Sequence, residues 1–371
     1  MDKKFFIGIA AMAALTLVSC SSDDLDSFSD NSSKNEAISF DGYLGRSAVA
    51  VNGSRGSVLE KTQLQNSTDG FGVFGNYKET AGQEFGTNLF DNQQVTYKNS
   101  EWTYTPHKYW LPQGHIDFLA YAPYVKDTKL TASSIDFTVE NEVAKQKDLL
   151  WAKAEGKTKD NISTDNNKVK FQFAHALSRL GYSVKLKKEC SADATITLKK
   201  IILAGSATEP TGESATGSGT FHTKGTINLS TGNWSSLSGA QYFKWYSAPT
   251  PGASETSGSQ SITFTSSSNK TYTNKDNEYL FVIPQNFSKT VTDKLYVIVE
   301  YTIQYTGVKG SDGNPVIFTN KVHKQLTTDF KQGKAYTINL TIGRPIEFDA
   351  DVTPWTDTDN PNTDINIDSW E

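Results

Sequence analysis

Cysteine and methionine are almost missing from this chain, and the gaps are informative. Of the two cysteines, Cys20 and Cys190, the first closes an N-terminal leader, so Cys190 has no partner in the remainder and no disulfide framework is available. Both methionines, Met1 and Met12, fall inside the same leader. Histidine is sparse too: His107, His115, His175, His222 and His323 are scattered without metal-ligand spacing, and His175 reads as a hydrogen-bonded structural residue. Basic clusters are lacking. The formal charge is -5, and loss of residues 1–19, with Lys3, Lys4 and Asp2, moves it to -6. Dispersed lysines on a mildly acidic chain leave no electrostatic footprint for nucleic acid.

Catalytic signatures are missing as well. Gly156-Lys157-Thr158 has the end of a phosphate loop, but Trp151 stands where that loop needs its first glycine. Asp357, Asp359 and Asp364 near the C-terminus lack the glycine and terminal glutamate of a calcium loop and read as a solvated acidic tail. No nucleophile elbow or paired carboxylates stand out. Spacing does not speak to a β-sandwich glycosidase, whose carboxylates come from distant strands. The expectation is a non-enzyme without cofactor, metal or catalytic residues.

What is present begins at the N-terminus. Met1-Asp-Lys-Lys4 is a short basic region, and Phe5 to Val18 is an apolar run of signal-peptide length, too short for a comfortable membrane span. It ends in Leu17-Val18-Ser19-Cys20, which looks like a bacterial lipobox, with Cys20 as the lipidated residue. A core helix ending in a buried cysteine would be amphipathic, and this segment is apolar on every side. Residues 21–33 are polar and acidic, too poor in apolar surface to order themselves, and read as a tether.

Beyond the tether, short alternating or β-branched and aromatic runs are separated by Gly, Asn, Ser and Thr clusters, the pattern of an all-β sandwich protein. Examples are Gly70–Phe74, Ile116–Tyr121, Val169–Phe173, Thr195–Leu198, Tyr279–Ile283, Leu295–Tyr301 and Ile346–Val352. The runs at 279–283 and 295–299 suit central strands. In 346–352, Ile346, Phe348, Ala350 and Val352 share one face and Glu347, Asp349 and Asp351 the other, as in a half-exposed strand of the second sandwich. Gly205–Gly219 and Ser247–Ser268 read as long surface loops. About 350 residues after the leader suffice for two ordinary domains. The expected division is a lipoprotein signal peptide at 1–19, a tether and removable first strand at 20–55, an N-terminal β-sandwich at 56–189, and a C-terminal β-sandwich with a donor-strand tail at 190–371.

Ile38–Arg46, Asp69–Phe74, Trp102 to Pro112 leading into Gly114–Pro123, Lys147–Ala152, Val169–Ser178, Phe281–Gln285, Gly333–Leu340, and Ile346–Val352 followed by Trp355 form an ordered series along the chain. Together these segments resemble the fimbrillins, the type V pilin or Mfa-like fimbrial lipoproteins of Bacteroides-type bacteria. The resemblance implies two tandem transthyretin-like β-sandwich domains, export as an outer-membrane lipoprotein, proteolytic maturation at the surface, and polymerisation by donor-strand exchange. The implied partners are other copies or related pilin subunits, the outer membrane through the lipid anchor, an arginine-specific surface protease, and a receptor of unspecified kind.

The residues themselves fit such an exchange. Ile38, Phe40 and Leu44 fall on one strand face and can fill a groove of the first sandwich. A cut after a following arginine frees that strand and exposes an apolar groove with open strand edges. Arg46 and Arg55 are the candidates; Arg55, in the Gly- and Ser-rich patch Asn52–Ser57, is preferred for access to a protease cleft. Its cleavage also severs Cys20. Ile365 and Ile367, sharing a face of Asp364–Asp368, form the candidate donor strand, although Trp370 is out of phase with them. The alternative is a surface glycan-binding lipoprotein that does not polymerise, with Trp234, Trp245 and Tyr246 as a sugar-stacking platform.

Overall fold

The computed structural model describes residues 37–44, 59, 61–80, 83–187, 194–210, 221–240, 242–249, 261–265, 270–274, 278–287 and 294–342. The chain is all-β. Its first half contributes β1 (Phe40–Leu44), a short helix α1 (Lys61–Asn66), β2 (Phe71–Lys78), β3 (Phe90–Lys98), β4 (Glu101–Thr103), β5 (His115–Ala122), β6 (Ser134–Thr138), β7 (Leu150–Lys157) and β8 (Val169–His175). The second contributes β9 (Ser178–Leu186), β10 (Ala194–Ala204), β11 (His222–Asn228), β12 (Trp234–Ala240), β13 (Tyr242–Ser247), β14 (Thr263–Phe264), β15 (Tyr272–Thr273), β16 (Leu280–Val282), β17 (Leu295–Lys309), β18 (Pro315–Leu326) and β19 (Ala335–Ile342).

Seven strands of the first half form one sheet in the order β1-β8-β7-β5-β2-β3-β4. Its central strands β2 and β5 are apolar on both faces because each face meets a different core. Phe71, Val73, Phe118 and Ala120 point into a first cluster with Ile38, Phe40, Phe90 and Phe171. Phe74, Leu119 and Tyr121 point into a second, larger cluster built by β9, β10, β17 and β19. A strand buried on both sides reads as a continuous hydrophobic run, which is how these two stand out in the sequence.

Core membership changes between Phe173, in the first cluster, and Ala176, in the second. This differs from a division at 189/190: β9 precedes that position yet lies wholly in the second core, where Leu180, Tyr182 and Val184 are buried. The reason is pairing, since β9 is the centre of a sheet of the second half, parallel to β19 on one edge and antiparallel to β15 and β16 along the other. β6 departs further from a simple division. It pairs antiparallel with β11 in the three-stranded sheet β12-β11-β6; its Ile135 and the following Val139 enter the second core, after which the chain returns to lay down β7 and β8.

The remaining sheet runs β13-β10-β17-β18, with β14 also on β10. β17 is flanked on both sides, as its sequence suggests, whereas among the described residues β16 pairs with β9 alone and owes its burial to the packing around it. The run at 195–198 continues to Ala204 through a bulge between Leu198 and Lys200; the bulge resets the alternation, so Lys199-Lys200 looks like a strand end in sequence. Within the stretch 247–268, Thr263–Phe264 is drawn back onto β10 as β14. Phe264 and Tyr272 meet edge to face at 5.2 Å, and the Tyr272 hydroxyl donates to the Thr263 carbonyl at 3.0 Å, so β14 and β15 share one flank of the two stacked sheets. β18 and β19 therefore lie at the opposite flank.

Candidate functional site

β1 lies at one edge of the seven-stranded sheet and pairs in parallel with β8, Phe40 opposite Val169 through Leu44 opposite Phe173. Just before it, Ile38 N–H donates to the Lys108 carbonyl at 2.8 Å and the Tyr104 hydroxyl donates to the Ile38 carbonyl at 2.8 Å. Burial pushes the Tyr104 phenol well above its ordinary pKa, so the hydroxyl stays protonated and remains a donor.

Alternation turns Ile38, Phe40, Gly42 and Leu44 inward. Ile38 and Phe40 are each 1% exposed, and half-buried Leu44 packs against the same cluster. The Phe40 ring sits among Phe90, Tyr104, Phe118, Phe171 and Phe71 with centroids 5.4 to 6.5 Å away. Gly42 leaves room for the Phe173 ring, which would lie 3.2 Å from a Cβ placed there. Tyr43 points outward at 36% exposure. The structure thus brings Ile38, Phe40 and Leu44 together in one aromatic groove. Filling three apolar sites contributes roughly 1.5–3 kcal/mol each, and the parallel ladder adds to this.

Phe90 and Tyr104 line this groove although nothing in the sequence singles them out. Phe90 begins a strand whose next four residues are polar, and Tyr104 follows the short β4. A buried tyrosine commonly finds a hydrogen-bond partner, but which carbonyl it meets is a tertiary fact.

Arg46 follows the end of β1, Arg55 precedes Leu59, and both lie outside the described residues, as do Cys20, Ile365, Ile367 and the 346–352 segment. Where the chain resumes, Leu59 N–H donates to Asp148 Oδ2 at 3.1 Å. The same oxygen sits 2.7 Å from His175 Nδ1, so His175 and the buried Asp148 secure the corner where β8 ends and α1 begins. His175 is hydrogen-bonded in a structural setting, and the described residues contain no cluster of three or more metal-binding side chains. Residues 156–161 form a turn closed by Asn161, whose Oδ1 accepts from Thr158 N–H at 3.0 Å while its own N–H reaches Thr158 Oγ1 at 3.2 Å.

The aromatic platform of the alternative, glycan-binding reading is not formed by Trp234, Trp245 and Tyr246. Trp245 and Tyr246 are 5% and 1% exposed. Consecutive residues are both buried here because β13 bulges against β10: Tyr246 pairs with Ile201 and Lys244 with Ile202, leaving Trp245 as the extra residue. Trp245 donates to the Glu278 carbonyl at 2.8 Å. Trp234 packs on the second core and donates to the Ala176 carbonyl at 2.8 Å. A groove of about 420 Å³ does open beside β6, lined by Tyr121, Ile135, Phe137 and Leu149 with Glu140 and Lys147 among its polar residues.

Solved structures are similar to this chain. A fimbrial protein from Bacteroides vulgatus ATCC 8482 matches at 22% identity over 87% of this chain and 100% of that one, with a TM-score of 0.63. A candidate cell adhesion protein from Bacteroides ovatus ATCC 8483 matches at 15% identity over 90% of this chain and 98% of that one, with a TM-score of 0.44. No curated protein matches. The sequence model of the fimbrillin-like family matches residues 58–355, most of the chain and every strand from β2 to β19, and the chain therefore belongs to the fimbrillin-like family.

Proposed function

We propose that this chain is a structural subunit or tip adhesin of a surface fimbria, assembled by protease-triggered donor-strand exchange and mediating adhesion. The observation that carries this reading is β1 itself. It is a five-residue edge strand, paired among the described residues on one side only, yet its Phe40 occupies the centre of the first core. A strand so placed can leave without breaking the order of the other strands, and its departure opens an apolar groove bordered by the free edge of β8. The residues that follow it, 45–58, contain both Arg46 and Arg55.

In the uncut chain β1 competes for the groove at the high effective concentration of a tethered segment, so the monomer is self-complemented. Cutting after Arg55, or failing that Arg46, removes this advantage. The groove then accepts the 364–368 segment of a neighbour through Ile365 and Ile367, a head-to-tail contact that does not close and so extends as a filament. The proposed setting is the outer membrane, with Cys20 as lipid anchor until the cut releases the subunit, and with an arginine-specific surface protease, other copies or related pilins, and a surface receptor as partners. The role is structural, without catalysis or nucleic-acid binding.

The test is to digest residues 21–371 with an arginine-specific protease, sequence the new N-terminus, and follow size by light scattering beside a version lacking 356–371. The expected result is a monomer that assembles after cutting only when the tail is present. A trimmed intact chain that stays monomeric under assembly conditions, or a tail-less one that assembles equally well, sinks the mechanism.

The anchor has its own expected result. Cys20→Ala blocks lipidation and leaves the precursor unprocessed or misplaced, because no other residue near the leader core offers a thiol. Metabolic labelling with a fatty acid and fractionation of membranes read this directly. Normal mobility together with normal outer-membrane recovery would refute the lipoprotein assignment.

A further inference from the structure

The surface carries two apolar features of opposite shape, an arm and a groove. The arm is the outer end of the β17–β18 hairpin. These strands pair residue by residue from Leu295 opposite Leu326 to Gln304 opposite Ile317. Burial in β17 stops at Ile303 and Thr306 to Lys309 are all exposed, so the ladder runs on past the second core. Its tip is firmly built: Gly310 N–H donates to the Asn314 carbonyl at 2.8 Å, and the Asp312 carboxylate accepts from the Asn314 backbone and side-chain N–H groups at 3.0 and 2.9 Å. Those bonds hold the Asp312 carboxyl below its ordinary pKa. Val308, Ile317 and Phe318 are 44, 58 and 49% exposed on this arm, with Phe318 braced edge to face by Tyr305 at 5.9 Å. Ile317 and Phe318 are strand neighbours and point to opposite faces. A rigid tip with apolar side chains on both faces loses little freedom on binding.

The groove is the one beside β6. Its volume of about 420 Å³ lies in the range of pockets that enclose a ligand, about 300–1,000 Å³. Tyr121, Ile135 and Leu149 form a floor at 1 to 2% exposure, and Val125 stands on the rim at 53%. Of the five well-exposed large hydrophobic residues in the described chain, three therefore belong to the arm and one to the groove. The rim is acidic in effect. Lys145 and Lys147 are neutralised by Glu142 and Asp69 at 2.8 and 3.0 Å, so Asp136 and Glu140 set its charge. Exposed Lys309 adjoins Val308 on the arm.

The arm is out of reach of its own groove. Gln285 joins the two ends of the path between them: its carbonyl accepts from Phe330 N–H at 2.9 Å, and its side-chain oxygen accepts from His222 N–H at 2.8 Å at the start of β11. Next to His222, the Thr223 carbonyl accepts from Val139 N–H at 2.8 Å, just past β6. The groove thus lies towards the Leu326 end of β18. Phe318 is eight strand residues away from that end, roughly 26 Å, and the arm points further out.

We propose that the 305–318 arm of one copy of this chain seats in the β6 groove of a second copy. The apolar tip lies on the floor of Tyr121, Ile135 and Leu149, and Lys309 lies beside Asp136 and Glu140. This rests on the reading of the chain as a subunit that meets its own kind. Arm and groove are different surfaces, so the contact is head to tail. It is smaller than the roughly 1,200–2,000 Å² that a stable interface buries. Free chains therefore stay monomeric at ordinary concentration, and the contact reinforces copies already held side by side.

Cross-linking of uncut residues 21–371 tests this, with Cys190→Ser removing the native thiol. Thr319→Cys on the arm and Thr138→Cys at the groove are placed in separate chains, mixed near about 1 mM because so small an interface is weak, and treated with a short bis-maleimide. The expected result is a heterodimer at a yield about tenfold above mixtures in which Tyr43→Cys replaces either partner. Phe318→Asp in the arm chain should remove it; Phe318 is exposed, so folding is unaffected. Lys309→Glu should lower the yield about two- to fivefold, and Glu140→Lys in the groove chain should restore it. A yield no greater than with Tyr43→Cys, or one indifferent to Phe318→Asp, would overturn the proposal. Arm-to-arm products in excess would assign the arm to a symmetric pair and overturn it as well. Because the chain is uncut and β1 fills its own groove, failure here leaves donor-strand exchange standing, and failure of that exchange leaves this result intact.

Discussion

Replacing Phe40 by alanine is expected to destabilise the uncut protein by about 3–5 kcal/mol, the range for truncating a buried phenylalanine. The upper part of that range is favoured because the surroundings have little freedom to collapse. The ring touches five other aromatic rings, and they are anchored on β2, β3, β5, β8 and the segment after β4. Tyr43→Ala, outward on the same strand, is expected to change stability by less than about 0.5 kcal/mol. Guanidinium unfolding of both variants measures the contrast. Equal effects would mean that β1 is a passive edge and that its loss could not drive any exchange. The variant also bears on assembly: with its central side chain gone the resident strand holds the groove less firmly, so trimmed Phe40→Ala chains should release it sooner.

Gly70→Ala is expected to be at least as damaging, at about 3 kcal/mol or more. Gly70 has a φ of +61° at the entry to β2, a region where a side chain costs of order 1–3 kcal/mol in strain. A Cβ there would also stand 2.0 Å from the carbonyl oxygen of Val95. That neighbour is backbone within the β2–β3 pairing, so relief requires moving a strand. The consequence extends past one turn, because β2 carries Phe71 and Val73 into one core and Phe74 into the other. Thermal unfolding reports the loss. A Tm within a few degrees of the parent would show that β3 can shift at little cost.

The parts of this architecture that are legible in sequence are those whose signal is local. β2, β5, β8 and β17 announce themselves by runs of aromatic and β-branched residues, and β1 by the alternation of Ile38, Phe40 and Leu44. The alternation also passes through Gly42, whose inward place is intelligible only once the Phe173 ring is seen against it. Bulges defeat local reading. The one in β10 makes Lys199-Lys200 look like a terminus, and the one in β13 buries the adjacent Trp245 and Tyr246, which a regular strand would send to opposite faces. Pairings between distant segments leave no local trace, so the partnership of β6 with β11 and the membership of β9 in the second core emerge only from the fold. The groove was half legible for the same reason: the residues that fill it alternate along one strand, whereas Phe90 and Tyr104, which line it, come from elements with weak patterns.

The excursion of β6 limits how this protein can be cut and recombined. A boundary drawn anywhere in the chain leaves one half borrowing from the other. Ending the first half at Phe173 keeps Ile135 and Val139 on the wrong piece, and the second half made alone exposes the edge of β11 and a gap where those two side chains belong. Neither half is a transplantable module, and gene fusions that exchange one half between relatives would need to carry residues 134–139 with the second half's sequence rather than with the first.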